Sequence, residues 1–114
     1  MNRRAGLALG WGWVAAVVYL SLTPSPPTMG VEGGDKLGHF FAYAVLASWF
    51  CRFYFGMARL AYLLGFVALG VALEFGQRAS GYRSFELADM AANTLGVAAG
   101  WGAALLVPLL LRKA

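Results

Sequence analysis

The sequence predicts an all-α membrane protein, a bundle of four transmembrane helices. Three observations predict it. First, 61% of the 114 residues are hydrophobic and only 12% are charged, whereas a soluble domain is usually about 45–50% apolar and about 25% charged. Second, the apolar residues gather into four runs of about 17–25 residues, the length of a helix that crosses about 30 Å of hydrocarbon. Third, the charged residues sit between the runs or at their ends.

The same totals exclude other classes. Nine basic and five acidic residues are too few to cover the surface of a small water-soluble monomer. High hydrophobicity excludes a disordered chain. The net charge of +4 is scattered, and without a contiguous basic stripe no nucleic-acid partner is expected. The single cysteine, Cys51, can form no internal disulfide.

The first run extends from about Ala5 to Thr23, after Asn2-Arg3-Arg4. It is long for a signal-peptide core, and Pro24 suits cleavage poorly, so the expectation is an uncleaved helix. Pro24, Pro26 and Pro27 end it, because proline lacks an amide donor and restricts the residue before it. The second run extends from about Leu37 to Phe53, and Arg52 and Arg59 bracket a connection around Gly56. The third extends from Leu60 to about Gln77, with Glu74 its only formal charge. A polar loop, Arg78 to Glu86, precedes the fourth run, Leu87 to Leu111, where Pro108 is placed to kink the last turn. The four runs are expected to form a single membrane domain over residues 1–114.

Four crossings put both termini on one side. That side carries Arg3, Arg4, Arg52, Arg59, Arg112 and Lys113, and no acidic residue. The other carries Lys36, Arg78 and Arg83 with Glu32, Asp35, Glu74, Glu86 and Asp89. The positive-inside rule therefore places both termini in the cytoplasm of a multi-pass protein of the inner membrane. A soluble helical core is disfavoured, since its helices should carry a polar stripe along their length. Ala92, Gly96 and Gly100 recur every four residues, as do Gly6 and Gly10. Such spacing lets helix backbones approach closely.

The chemistry gathers at the outer end. Asp35, His39 and Tyr43 are spaced by four along one helical face, with Lys36 beside them. Glu74, Gln77 and Arg78 close the third run, and Arg83, Glu86, Asp89 and Asn93 open the fourth. One reading is structural: the groups satisfy one another, with Glu74 paired to Arg78 or Arg83 and Asn93 bridging helices. A second is ligand binding, in which Lys36, Arg78 and Arg83 hold a phosphate or carboxylate, arginine through its planar fork. Asp35, Glu74 and Asp89 position these cations, and Tyr43 and Tyr82 contact a lipid or sugar. A third is catalysis, with His39 as a general base oriented by Asp35 or Glu74, or working with Asp89. A divalent metal on His39, Glu74 and Asp89 is weakly signalled by one histidine, so neither metal nor cofactor is expected. Proton-coupled transport through Glu74 and His39 is a further possibility. No phosphate loop or nucleophile elbow is present.

Ser21-Leu22-Thr23-Pro24, then Asp35-Lys36-x-x-His39-x-x-x-Tyr43, resembles the opening of the VanZ-like family. Glu74-x-x-Gln77, Arg83 and Asp89-x-x-x-Asn93-x-x-Gly96 continue the resemblance, which covers about residues 20 to 100. It implies a small integral membrane protein. It points to Asp35, Lys36, His39, Tyr43, Glu74, Gln77, Arg83, Asp89 and Asn93 as the positions of interest, without assigning them a catalytic role. The family's named member is associated with low-level resistance to the glycopeptide antibiotic teicoplanin. The expected function is recognition of a cell-envelope component, such as a lipid-linked or anionic headgroup, at an outward-facing polar site. The alternatives are an intramembrane enzyme that uses His39 with Glu74 or Asp89, and a structural or assembly protein. Membrane lipids are the expected surroundings.

Overall fold

A computed structural model describes residues 2–22, 34–80 and 87–113. It contains four helices: α1 (Arg3–Leu22), α2 (Gly34–Phe50), α3 (Gly56–Ser80) and α4 (Leu87–Lys113). The described residues include no strand. Arg83 and Glu86, like the proline-rich stretch after α1, lie outside the described residues, as does the side chain of Asp35.

The helix ends have local causes. Asn2 caps α1: its side-chain oxygen accepts the Ala5 amide at 2.8 Å, and its carbonyl accepts Gly6 N at 3.0 Å. Helix α2 stops at Phe50, not at Phe53 as the apolar run suggests. The next turn tightens, with Arg52 N on Trp49 O and Phe53 N on Phe50 O, each three residues back. Helix α3 starts at Gly56, four residues before the expected Leu60. Gly56 has φ of 60°, a left-handed conformation that costs glycine little. Arg59 therefore belongs to the first turn of α3, from which its side chain reaches back to the end of α2. Its Nε donates to Tyr54 O at 2.9 Å, and its terminal nitrogen donates to Cys51 O. Arg3 of α1 donates to Phe53 O at 2.8 Å. Two arginines thus satisfy carbonyls that the end of α2 leaves without helical partners. Helix α4 continues through Pro108 to Lys113.

Each helix buries a stripe at helical spacing: Gly6, Gly10, Val17 and Ser21 on α1; Tyr43, Leu46, Ala47 and Phe50 on α2; Leu63, Phe66, Leu73, Glu74 and Gln77 on α3; Asp89, Asn93, Val97 and Gly100 on α4. Helix α2 touches the other three helices, whereas α1 and α4 do not meet among the described residues. The α2–α4 contact is the closest. A Cβ built on Gly96 would run into the Phe40 carbonyl, and one on Gly100 into the Ala44 carbonyl, with Ala47 Cβ only 2.8 Å away. Between α1 and α2, a Cβ on Gly10 would come within 2.9 Å of both Phe50 and Trp49. The Trp49 indole donates to Gly6 O at 2.7 Å.

The outside is apolar. Leu64, Phe75, Leu95 and Leu106 are each more than half exposed, at 60%, 53%, 61% and 59%. Such a surface suits hydrocarbon rather than water. Three helices are long and apolar enough to cross a membrane: Arg3–Leu22, Gly56–Ala79 and Leu87–Leu109. Helix α2 has 17 residues, at the lower limit for a span. The longest dimension is 48 Å, comparable with about 40–45 Å for a bilayer including its headgroups.

Candidate polar site

The buried polar side chains lie on the same stripes as the apolar core, near one end of the molecule. That end collects the C-termini of α1 and α3 and the N-termini of α2 and α4. Glu74 and Gln77 are each 1% exposed, Asn93 2%, Asp89 5% and Ser21 8%. A polar group facing lipid would lose its hydrogen bonds to water without replacement, so these residues turn inward, where other helices supply partners.

His39 Nδ1 lies 2.9 Å from Asn93 Oδ1, joining α2 to α4. An amide oxygen only accepts, so with Asn93 Oδ1 facing the ring Nδ1 is the donor of this bond. The partner of Nδ1 is thus an amide on another helix. Asn93 also lies against α3 at Gly70, where a Cβ would come within 2.9 Å of Asn93 Nδ2. The missing side chain at Gly70 leaves the space that Asn93 occupies. Gln77 Nε2 donates to the Ser21 carbonyl at 2.8 Å, tying α3 to α1. Lys36 Nζ stands 3.6 Å from Asp89 Oδ1, an ion pair longer than a hydrogen bond. The Lys36 side chain is 39% exposed and marks the rim. Arg78 is exposed at the same end.

Tyr43 is one turn deeper than His39 on α2 and only 1% exposed. Its hydroxyl has no hydrogen-bond partner among the described residues. The Glu74 carboxylate is close enough to act on it electrostatically.

Lys36, His39, Tyr43, Glu74, Gln77, Asp89 and Asn93 lie at the same end of the bundle. Gly70 and the Ser21 carbonyl complete the cluster and were not foreseen as part of it. Gly70 carries a signal in retrospect, since it precedes Glu74 by four and Gln77 by seven and so shares their face. The Ser21 carbonyl carries none, because a backbone acceptor leaves no mark in the sequence. Among the described residues, no three His, Cys, Asp or Glu side chains group as a metal site.

A family model described as VanZ/LLP1 matches residues 7–110, nearly the whole chain. The chain belongs to the VanZ/LLP1 family. No curated protein and no solved structure matches it. The apolar helices and the family together make this a VanZ-type membrane protein. Of the positions that carry the resemblance, Tyr43, Glu74, Gln77, Asp89 and Asn93 are buried in the polar cluster, His39 is partly buried beside them and Lys36 stands at the rim. Gly96, the last residue of the fourth-helix pattern, is where α4 meets the α2 backbone.

Proposed function

We propose that the polar end of this VanZ-family protein faces outward from the inner membrane and binds the headgroup of an envelope lipid or lipid-linked precursor. In this reading all four helices cross the bilayer, and both termini are cytoplasmic. The rim cations Lys36 and Arg78, with Arg83, receive the phosphate. The buried acceptors and amides receive hydroxyl or amide groups of the ligand. Asp35, Glu74 and Asp89 hold the cations in place. Such binding would change what a glycopeptide-type compound meets at the membrane surface.

The observation that carries the proposal is the Tyr43 hydroxyl, buried at the level of the cluster without a hydrogen bond among the described residues. An unpartnered buried hydroxyl costs about 1–3 kcal/mol, and a ligand atom would remove that cost. Tyr43→Phe separates binding from folding, because it removes no hydrogen bond among the described residues. With a polyprenyl-diphosphate-linked sugar as probe, calorimetric titration in detergent should show about three- to tenfold weaker binding, the equivalent of one hydrogen bond. The melting temperature should hold or rise. Undiminished affinity in Tyr43→Phe would exclude the hydroxyl from the site.

The His39–Asn93 hydrogen bond favours a second reading, in which Nε2 acts as a general base on the bound lipid, with Glu74 or Asp89 nearby.

A further inference from the structure

A groove of about 450 Å³ runs between α1 and α3 on the outside of the molecule. Trp11 and Val14 form one wall, and Tyr62, Gly65, Phe66 and Leu69 the other. It lies away from the polar cluster, toward the basic end. Along α3 the residues Arg59, Tyr62, Phe66 and Leu69 follow at intervals of three, four and three, so one stripe leads from a cation into the groove. From Arg59 to Leu69 the helix rises about 15 Å. That is half of a hydrocarbon core about 30 Å thick, the depth of one leaflet.

The mouth of the groove is basic and aromatic. Tyr62 stacks on Tyr54 with ring centroids 4.1 Å apart, and the two hydroxyls are 3.1 Å apart. The Arg3 guanidinium sits 5.1 Å from the Tyr54 ring centroid. Arg3 and Arg59 both donate to α2 carbonyls, but a guanidinium has five N–H donors and these contacts leave donors over. Arg4 is exposed beside them. No acidic side chain is near enough in the chain to neutralise this end. Glu74 is the first acidic residue along α3, about 22 Å from Arg59. Arg3 and Arg4 are separated from the first acidic residue, Glu32, by the whole of α1.

We propose that this groove seats an acyl chain of an anionic phospholipid from the leaflet at the basic end, with its phosphate held at Arg3 and Arg59 and its charge further balanced by Arg4. Charge complementarity selects this occupant. A second copy of the chain docked symmetrically on the same face would bring two uncompensated arginine clusters together. A phosphate supplies the missing anion, and the groove supplies one leaflet's depth of apolar wall.

Gly65 offers a test that leaves the arginines and their carbonyl partners intact. A Cβ there meets nothing within 4 Å, as at Gly102 on α4. Gly65→Leu therefore fills the groove without disturbing the core, and Gly102→Leu is the matched control. Each protein is incubated in detergent with equal amounts of phosphatidylglycerol and phosphatidylcholine, and retained lipid is read by native mass spectrometry. Wild type and Gly102→Leu should retain phosphatidylglycerol over phosphatidylcholine by about fivefold or more, the scale of one basic residue at a charged membrane surface. Gly65→Leu should lose that preference, and Arg4→Gln should reduce it. Equal retention of the two lipids by wild type would overturn the proposal. So would an undiminished preference in Gly65→Leu, or a lipid-free dimer of the wild type.

Discussion

His39 takes its partner from another helix, and that choice shapes the polar end. Spacing within one chain segment offers Asp35, a turn before it, whereas the folded protein offers Asn93, 54 positions away. Inward placement of Glu74, Gln77, Asp89 and Asn93 was legible, because polar groups in apolar runs must avoid lipid. Their pairings depend on which helices become neighbours, and one sequence does not encode that locally. Interhelical hydrogen bonds in membranes average about 0.6 kcal/mol and reach about 1.7. Asn93→Ala should therefore lower stability in detergent by about 1 kcal/mol, measured by reversible unfolding. It should also alter the His39 ring nitrogen signals in NMR. Unchanged signals would show that the bond to Asn93 does not set the imidazole's state.

At the scale of the element, the helices differ in how they approach. The α2–α4 pair meets backbone to side chain at Gly96 and Gly100, where the obstacle to a Cβ is a carbonyl that cannot rotate away. Gly100→Ala should cost about 1–3 kcal/mol through overpacking. Gly102→Ala, with open space around it, should be neutral or gain up to about 1 kcal/mol from helix propensity. Thermal unfolding of the two variants measures the contrast, and equal melting temperatures would contradict the close approach of α2 and α4. The four-residue spacing of Ala92, Gly96 and Gly100 announced a close-packed face but not its partner. Helix ends were less legible than helix cores. Hydrophobicity runs on past Phe50, while the chain turns there because arginines from α1 and α3 supply donors to the carbonyls beyond it. The start of α3 was obscured because Arg59 looks like a loop residue. Its role depends on the left-handed Gly56 and on a fold that brings it back to α2.

For the whole molecule, scarcity of charge separates two ends. One end holds arginines that bind carbonyls and stack on rings, as Arg52 does at 4.9 Å from the Trp49 ring centroid. The other holds carboxylates, amides and a histidine packed between helices. The proposed function requires these ends to lie on opposite sides of the inner membrane, with the polar cluster outside. Two exposed positions report on them: Met57 at the start of α3, 79% exposed, and Leu87 at the start of α4, 70% exposed. The native Cys51 is buried, at 3% exposed, and offers little competing reaction. Labelling intact cells with an impermeant maleimide tests the orientation directly. Leu87→Cys should label from outside, and Met57→Cys only after the membrane is opened. Labelling of Met57→Cys from outside, with Leu87→Cys protected, would put the polar cluster on the cytoplasmic side and contradict the account.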